Sequence, residues 1–414
     1  SFASIRAFSP YFMKLSDQYH LTYCTNIHPG ESWEEVDQSL KTYVPTVKSA
    51  VAPDQPFGIG LRLSQQAGEE LARPAVLAAF QEWLTENNCY VFTMNGFPYG
   101  GFHRQIVKDQ VHQPDWTTLD RLAYTQQLFS ILAKLLPSGM DGGISTSPLS
   151  YKYWHTDEQT REQVFKKSTE HLVQIAAWLY RLRHKTGKLL HLDIEPEPDG
   201  MLENTQEVID YFNDWLLPQG VPTLQEQLGL NAKEAEECIK THIQLCYDVC
   251  HFAVVYEKPQ ETFRRWKEEG IRIGKIQISA ALKADLPASK TDRQLVVQAF
   301  ESLVESTYLH QVVARQTNGQ LLHYPDLPKA LEHINELNVQ EWRTHFHVPL
   351  FVPSYGVLNS TQDAIREVLS ILNETPVTQH LEVETYTWEV LPKEIQLGLD
   401  QSIVRELEWV RDFM

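Results

Sequence analysis

The chain alternates short apolar runs with amphipathic helical stretches eight times over, and this alternation constrains its fold more than any other feature. Strand-like runs bounded by turn residues fall at Tyr19–Ile27, Phe57–Leu63, Tyr90–Met94, Gly143–Ser147, Leu189–Ile194, Ile243–Val249, Ile273–Ser279 and Leu381–Tyr386. Between them, Trp33–Ser49, Leu71–Glu86, Asp120–Leu136, Glu158–His184, Ala232–Thr241 and Pro259–Glu269 carry apolar residues at helical spacing, and Ile403–Phe413 closes the chain. Such a repeat implies a parallel sheet with helices outside it. Eight repeats favour a closed (β/α)8 TIM barrel over an open doubly wound sheet. No Gly-x-Gly-x-x-Gly follows the first strand and no Gly-Lys-Ser/Thr loop occurs, which weakens a nucleotide-binding reading.

One region breaks the count. Tyr308–Leu322 holds two strand-like runs around Thr317-Asn318-Gly319, a hairpin signal. Arg343–Phe351 reads as a further strand, a ninth. Residues 1–12 are therefore expected to be an N-terminal extension, and 13–414 one barrel domain with an insertion at about 282–342.

The chemistry gathers at strand ends. Alternate side chains of a strand share a face, so His191, Asp193 and Glu195 point one way. Cys246-Tyr-Asp248-Val-Cys-His251 and Leu381-Glu-Val-Glu384 repeat the pattern. The C-terminal ends of barrel strands are where catalytic groups sit, and a lone buried carboxylate is costly. Three such ends point to a divalent-metal site. His28 and Asn95, ending the first and third strands, are expected at the same mouth. The loop Phe97–Phe102 with His103 is expected to roof it, or else to pack on a neighbouring helix, and Tyr386 and Trp388 to wall it.

Acidic residues outnumber basic ones 54 to 36, a net charge of −18, with no long basic run. Phosphate neutralisation needs clustered Lys and Arg, so the charge balance argues against nucleic acid as a partner, leaving room only for a local basic pocket. The five cysteines lack metal-finger spacing and read as buried thiols in a reducing compartment. No apolar run approaches the roughly 18 residues of a membrane helix, and Ser1–Phe12 has no signal-peptide core. The expectation is a cytoplasmic protein.

Glu195, Asp248-x-x-His251 and Glu384 together resemble the sugar phosphate isomerase/epimerase superfamily, the xylose-isomerase-like TIM barrels. That resemblance implies a divalent metal held by a Glu of the fifth strand, an Asp of the sixth, a His of the seventh and a Glu of the eighth. More narrowly, several segments resemble the EboE family of metabolite traffic proteins. They are Tyr19–His28, Thr93–Gly100, Ile144–Ser150, Asp193-Ile-Glu-Pro-Glu197, Tyr247–Ala253, Phe346–Leu350 and Glu382–Trp388. This implies a role, beside operon-encoded partner proteins, in moving or maturing a secondary metabolite such as a pigment precursor.

The chain departs from the superfamily at the seventh strand, where Lys275, Gln277 and Ser279 share the inward face in place of a histidine. Gln277, His345 and His347 are the candidates for the vacant ligand place, with His347 favoured. The expected metal set is Glu195, Asp248, His347 and Glu384, with His251 next in line. The mixed oxygen and nitrogen donors suit Mn²⁺, Zn²⁺, Fe²⁺ or Mg²⁺. Catalytic roles fall to Glu195, Glu384 and His251, and pocket roles to His28, Asn95, His103, Gln277, His345 and Trp388. Three functions compete: an isomerase or epimerase acting on a small hydroxylated or carbonyl metabolite, a non-catalytic carrier using the same pocket, and a metal-dependent phosphoesterase or nuclease. The acidic charge counts against the third.

Overall fold

The computed structural model describes residues 14–15, 19–101, 107–303, 309–336, 338–388, 393 and 396–414. Eight parallel strands form its centre. They are β1 Tyr19–Tyr23, β2 Phe57–Arg62, β3 Cys89–Asn95, β4 Gly142–Thr146, β5 Leu190–Ile194, β6 Ile243–Asp248, β7 Ile273–Ile278 and β8 His380–Val383. Strands β2 to β8 pair in chain order, and β8 then pairs with β1. The chain folds as a (β/α)8 barrel, as the alternation implied.

Local chemistry sets the helix ends. Ser32 accepts from the Glu35 amide while the Glu35 carboxylate returns a bond to Ser32, and Asn231 and Glu234 do the same. Asp157 caps the long helix Glu158–Thr186, which stops at Gly187 with φ +73°. No helix among the described residues is long and apolar enough to cross a membrane. All five cysteines are free.

Strands β1 and β2 close the barrel without a backbone ladder. An isolated bridge joins Cys24 to Gly60. The Thr22 hydroxyl donates to the Gly58 carbonyl (2.7 Å) and accepts from the Gly60 amide (3.1 Å). Thr25 Oγ1 accepts from the Arg62 amide at 2.9 Å. Hydroxyls thus supply the partners that buried backbone groups require. Gly60 is needed here because a Cβ would lie 1.8 Å from Glu382 Oε2.

Outward-facing Leu21, Ile59, Ile144, Leu192, Leu245, Ile276 and Leu381 are buried beneath the helices. The inward face is polar: His20, His191, Asp193, Lys275, Gln277 and Glu382 are all buried in the barrel.

A six-stranded antiparallel sheet is inserted between β7 and β8. Its order is Leu321–Tyr324, Val312–Gln316, Val339–Thr344, Leu282–Asp285, Leu358–Ser360, Ser354–Tyr355. The expected hairpin pairs its first two strands, with Gly319 at φ +86° in the turn. The sheet continues past the expected bound at residue 342, to Ser360. The strand expected over Arg343–Phe351 is Val339–Thr344 instead and stops before His345. There the chain leaves the sheet: the His345 amide donates to Gln311 O (2.9 Å) and the Val348 amide to Ala280 O (2.9 Å). These bonds draw His345–Val348 across the end of β7. The helix Gln362–Glu374 then completes the seventh repeat.

Candidate metal centre

Glu195, Asp248 and Glu384 stand at the C-terminal ends of β5, β6 and β8, and all three are buried. Asp248 also caps the short helix Val249–Val254: its Oδ1 accepts from the His251 amide (3.0 Å) and from Ser279 Oγ (2.7 Å). The cap turns the His251 ring back toward the mouth, 3.8 Å from Glu195 Oε1 and 3.9 Å from Asp248 Oδ2. Asn26 and Asn95 donate their amides to Glu384 Oε1 at 2.6 and 3.2 Å. His347 Nδ1 lies 3.7 Å from Glu384 Oε2 and 3.1 Å from its carbonyl.

The two histidines carried by the insertion face one another, with His345 Nε2 3.2 Å from His347 Nε2. His345 Nδ1 has Gln311 Oε1 as its acceptor (2.8 Å), and His347 Nδ1 has the Glu384 carbonyl. With both Nδ1 atoms donating, the two Nε2 atoms present lone pairs to each other. A cation between or beside them would satisfy both lone pairs at once.

The electrostatics agree. Burial, with Glu384 and Asp248 close by, pushes Glu195 well above the usual carboxylate range. Burial and the Asp248 and Glu382 charges push Glu384 up in the same way. Burial opposes the charge on Asp248 too, but the facing His251 and His347 rings and the Ser279 hydroxyl outweigh it and hold the group low. Burial lowers His347 to about 4 and His345 well below its ordinary value, so both rings are neutral and able to ligate. Glu195 Oε2 and Asp248 Oδ2 are buried yet have no hydrogen-bond partner among the described residues. Leaving carboxylates in this state costs several kcal/mol each. Ligand atoms of Asp248, His251 and His347 lie within 4.8 Å of one another, as do those of Glu197, His251 and His345. The donor set fits a divalent cation.

Most of the expected residues meet here, lining one cavity: Glu195, Glu384, His251, His347, His345 and Asn95. Three do not. His28 lies behind β1, stacked on Tyr43 (centroids 4.3 Å apart) with its Nε2 3.0 Å from the Tyr23 hydroxyl. Gln277 sits one layer below, donating to Glu382 Oε1 at 2.9 Å. Trp388 is half-buried outside the lining, whereas Tyr386 stacks on His347 at 4.6 Å. Phe102 and His103 lie outside the described residues. Beyond the end of β7, His347 stands beside Glu384 with His345 next to it, while Ser279 orients Asp248.

Sequence reasoning missed Asn26, His112, Glu197, His310 and Gln311, which also line the cavity. His112 Nε2 lies 2.9 Å from Glu197 Oε1. Glu197 was visible in the Glu-Pro-Glu run after β5. His112, in a short 3-10 turn with no periodicity, gave no signal.

A scan against protein-family models finds no match, and a search of curated proteins finds no relative. Among solved structures, the chain is similar to a zinc-bound IolI protein, with 11% identity, 95% of this chain and 97% of that chain covered, and a TM-score of 0.46. It is similar to a xylose isomerase-like TIM barrel protein from Mycobacterium smegmatis in complex with magnesium (9% identity, 96% of each chain, TM-score 0.46). It is also similar to the probable 3-DHS dehydratase AsbF of petrobactin synthesis from Bacillus anthracis (10%, 94% and 97%, 0.42). The barrel assignment rests on the strand pairing itself.

Proposed function

We propose that this protein is a divalent-metal-dependent isomerase or epimerase-like enzyme acting on a small hydroxylated or carbonyl metabolite. The observation that supports the reading is that Glu195, Asp248 and Glu384 end three strands beside His347, with two buried carboxylate oxygens that have no hydrogen-bond partner among the described residues. Those four residues would hold the ion, with His345 and His251 adjoining. A divalent cation in such a site polarises a carbonyl and lowers the pKa of an attached hydroxyl or water.

The chain's own groups supply the rest. Asn26 and Asn95 fix Glu384 through one oxygen, so it is a positioned ligand rather than a mobile base. Glu195, holding the ion through one oxygen, would keep the other beside the cavity to take a proton α to a carbonyl. His251, its Nδ1 hydrogen-bonded to the Pro196 carbonyl at 3.1 Å, holds its ring beside Glu195. Phe97, Phe346 and Tyr386 wall the cavity and exclude water. The likeness of the strand-end motifs to the EboE family supports a place for this reaction in maturing or moving a secondary metabolite.

The test is elemental analysis of the purified protein, followed by incubation with hydroxylated and carbonyl metabolites in heavy water. Bound metal with deuterium entering a substrate carbon, lost in E195Q, is the expected result. Metal and ligand bound without exchange would replace the enzyme reading with the carrier reading.

A further inference from the structure

At the opposite end of the barrel, three metal-competent side chains meet in a place the proposed reaction does not use. Asp141, just before β4, sets Oδ2 3.4 Å from His191 Nε2 and Oδ1 3.5 Å from His380 Nε2. Both imidazoles are buried, and the rings lie 5.4 Å apart. Ligand atoms of all three fall within 4.8 Å of one another.

We propose that this floor of the barrel holds a second divalent transition-metal site, with Asp141, His191 and His380 as its protein ligands. Four observations point there. His191 Nδ1 is 2.6 Å from Asp193 Oδ1, a carboxylate partner of the kind that orients a ligating imidazole, and its Nε2 faces Asp141. Neither ring nitrogen of His380 makes a hydrogen bond among the described residues, although the ring has no solvent exposure. The contacts to Asp141 are too long for charge-assisted hydrogen bonds, which run at about 2.7–2.9 Å. Each imidazole faces a different Asp141 oxygen, a spacing that leaves room for an ion between the carboxylate and the two rings. Finally, the backbone makes room for the supporting carboxylate. A Cβ on Gly143 would come within 2.4 Å of Asp193 Oδ2, and one on Gly274 within 2.0 Å of Asp193 Oδ1.

Two histidines and a carboxylate suit Zn²⁺, Co²⁺ or Fe²⁺ over the oxygen-preferring Mg²⁺. The Asp141 side chain is 33% exposed and lines an open cavity with Lys188, Gly274 and Gln379, which gives an ion an entry path and a fourth ligand a place. Four residues of strand separate His191 from Glu195, so the two sites stand roughly 13 Å apart and load independently.

The experiment uses the full chain, stripped with a chelator and titrated with Co²⁺, read by visible absorption and by elemental analysis after desalting. Wild type should take two equivalents, D141N one, D248N one and the double variant none. D141N changes a partly exposed side chain at constant volume, and near-ultraviolet circular dichroism checks that it folds. H380A should match D141N, each lowering affinity for the floor equivalent by roughly 100-fold or more. If wild type takes one equivalent that D141N removes and D248N does not, the floor site stands and the mouth site falls. If D141N and H380A bind as many equivalents as wild type, the floor is an ionic network of His191 between two carboxylates, and the proposal is overturned.

Discussion

Lys275 Nζ lies 2.7 Å from Glu382 Oε1 at mid-height in the barrel, and neither side chain has any solvent exposure. The pair separates the carboxylates at the mouth from the histidines at the floor. Removing one partner strands a charge in a medium that cannot solvate it. K275M should cost about 3–5 kcal/mol, whereas K275M combined with E382L should recover most of that loss. Urea denaturation of the three proteins checks it; equal midpoints for single and double variants would show that the pair does not act as a unit.

The Asn26 and Asn95 amides hold Glu384 in place without facing the ion themselves. N26A and N95A should each weaken metal binding at the mouth by about 10–100-fold while leaving the fold intact. Competition titration against a metal-chelating dye measures this. Unchanged affinity in both variants would remove Glu384 from the ligand set.

The aromatic loop after β3 divides between two jobs. Phe97 is buried, lines the cavity and meets His112 edge-on at 5.4 Å. Tyr99 leans on Tyr124 of the helix Leu119–Leu135 at 5.0 Å. F97A should weaken ligand binding with little change in melting temperature, and Y99A should do the reverse. Calorimetry on each variant, with the metabolite found in the exchange assay as titrant, separates the two.

Glu406 gives a pH dependence. Burial pushes its carboxyl up to about 8, against 4.5 when exposed. The folded state therefore binds more protons between these values, and stability falls as pH rises from about 4.5 through 8. Glu406 Oε1 accepts from the Leu350 amide (2.9 Å) and the Thr385 hydroxyl (3.0 Å), bonds a glutamine oxygen can keep. E406Q should melt above wild type at pH 8.5 and close to it at pH 4.5. A constant gap across that range would assign the effect to packing.

The barrel was legible in the sequence because its signal is periodic: apolar strand runs recur, and caps such as Ser32 and Asn231 mark the helix starts. Glu195, Asp248 and Glu384 were legible for the same reason, being polar residues at the ends of apolar strands. Position along a strand does not reveal depth, so Gln277 read as a mouth residue although it bonds to Glu382 a layer below. His28 failed differently, since a 3-10 turn at Thr25–Ile27 carries it out of register with β1. Long-range closure left no trace at all. Nothing in the sequence shows that His310 stacks on Phe346 at 3.8 Å, or that Asp141 reaches two histidines of distant strands.

His347 reaches the mouth from the inserted sheet, not from a barrel strand. The last strand, β8, follows that sheet in the chain, so the imidazole ligands are in place only when the insertion has folded and β8 has closed against β1. A half-made barrel would carry Glu195, Asp248 and His251 without His345 and His347. The segment that carries His345 and His347, and with it one wall of the cavity, is therefore built apart from the strands that bear the carboxylates.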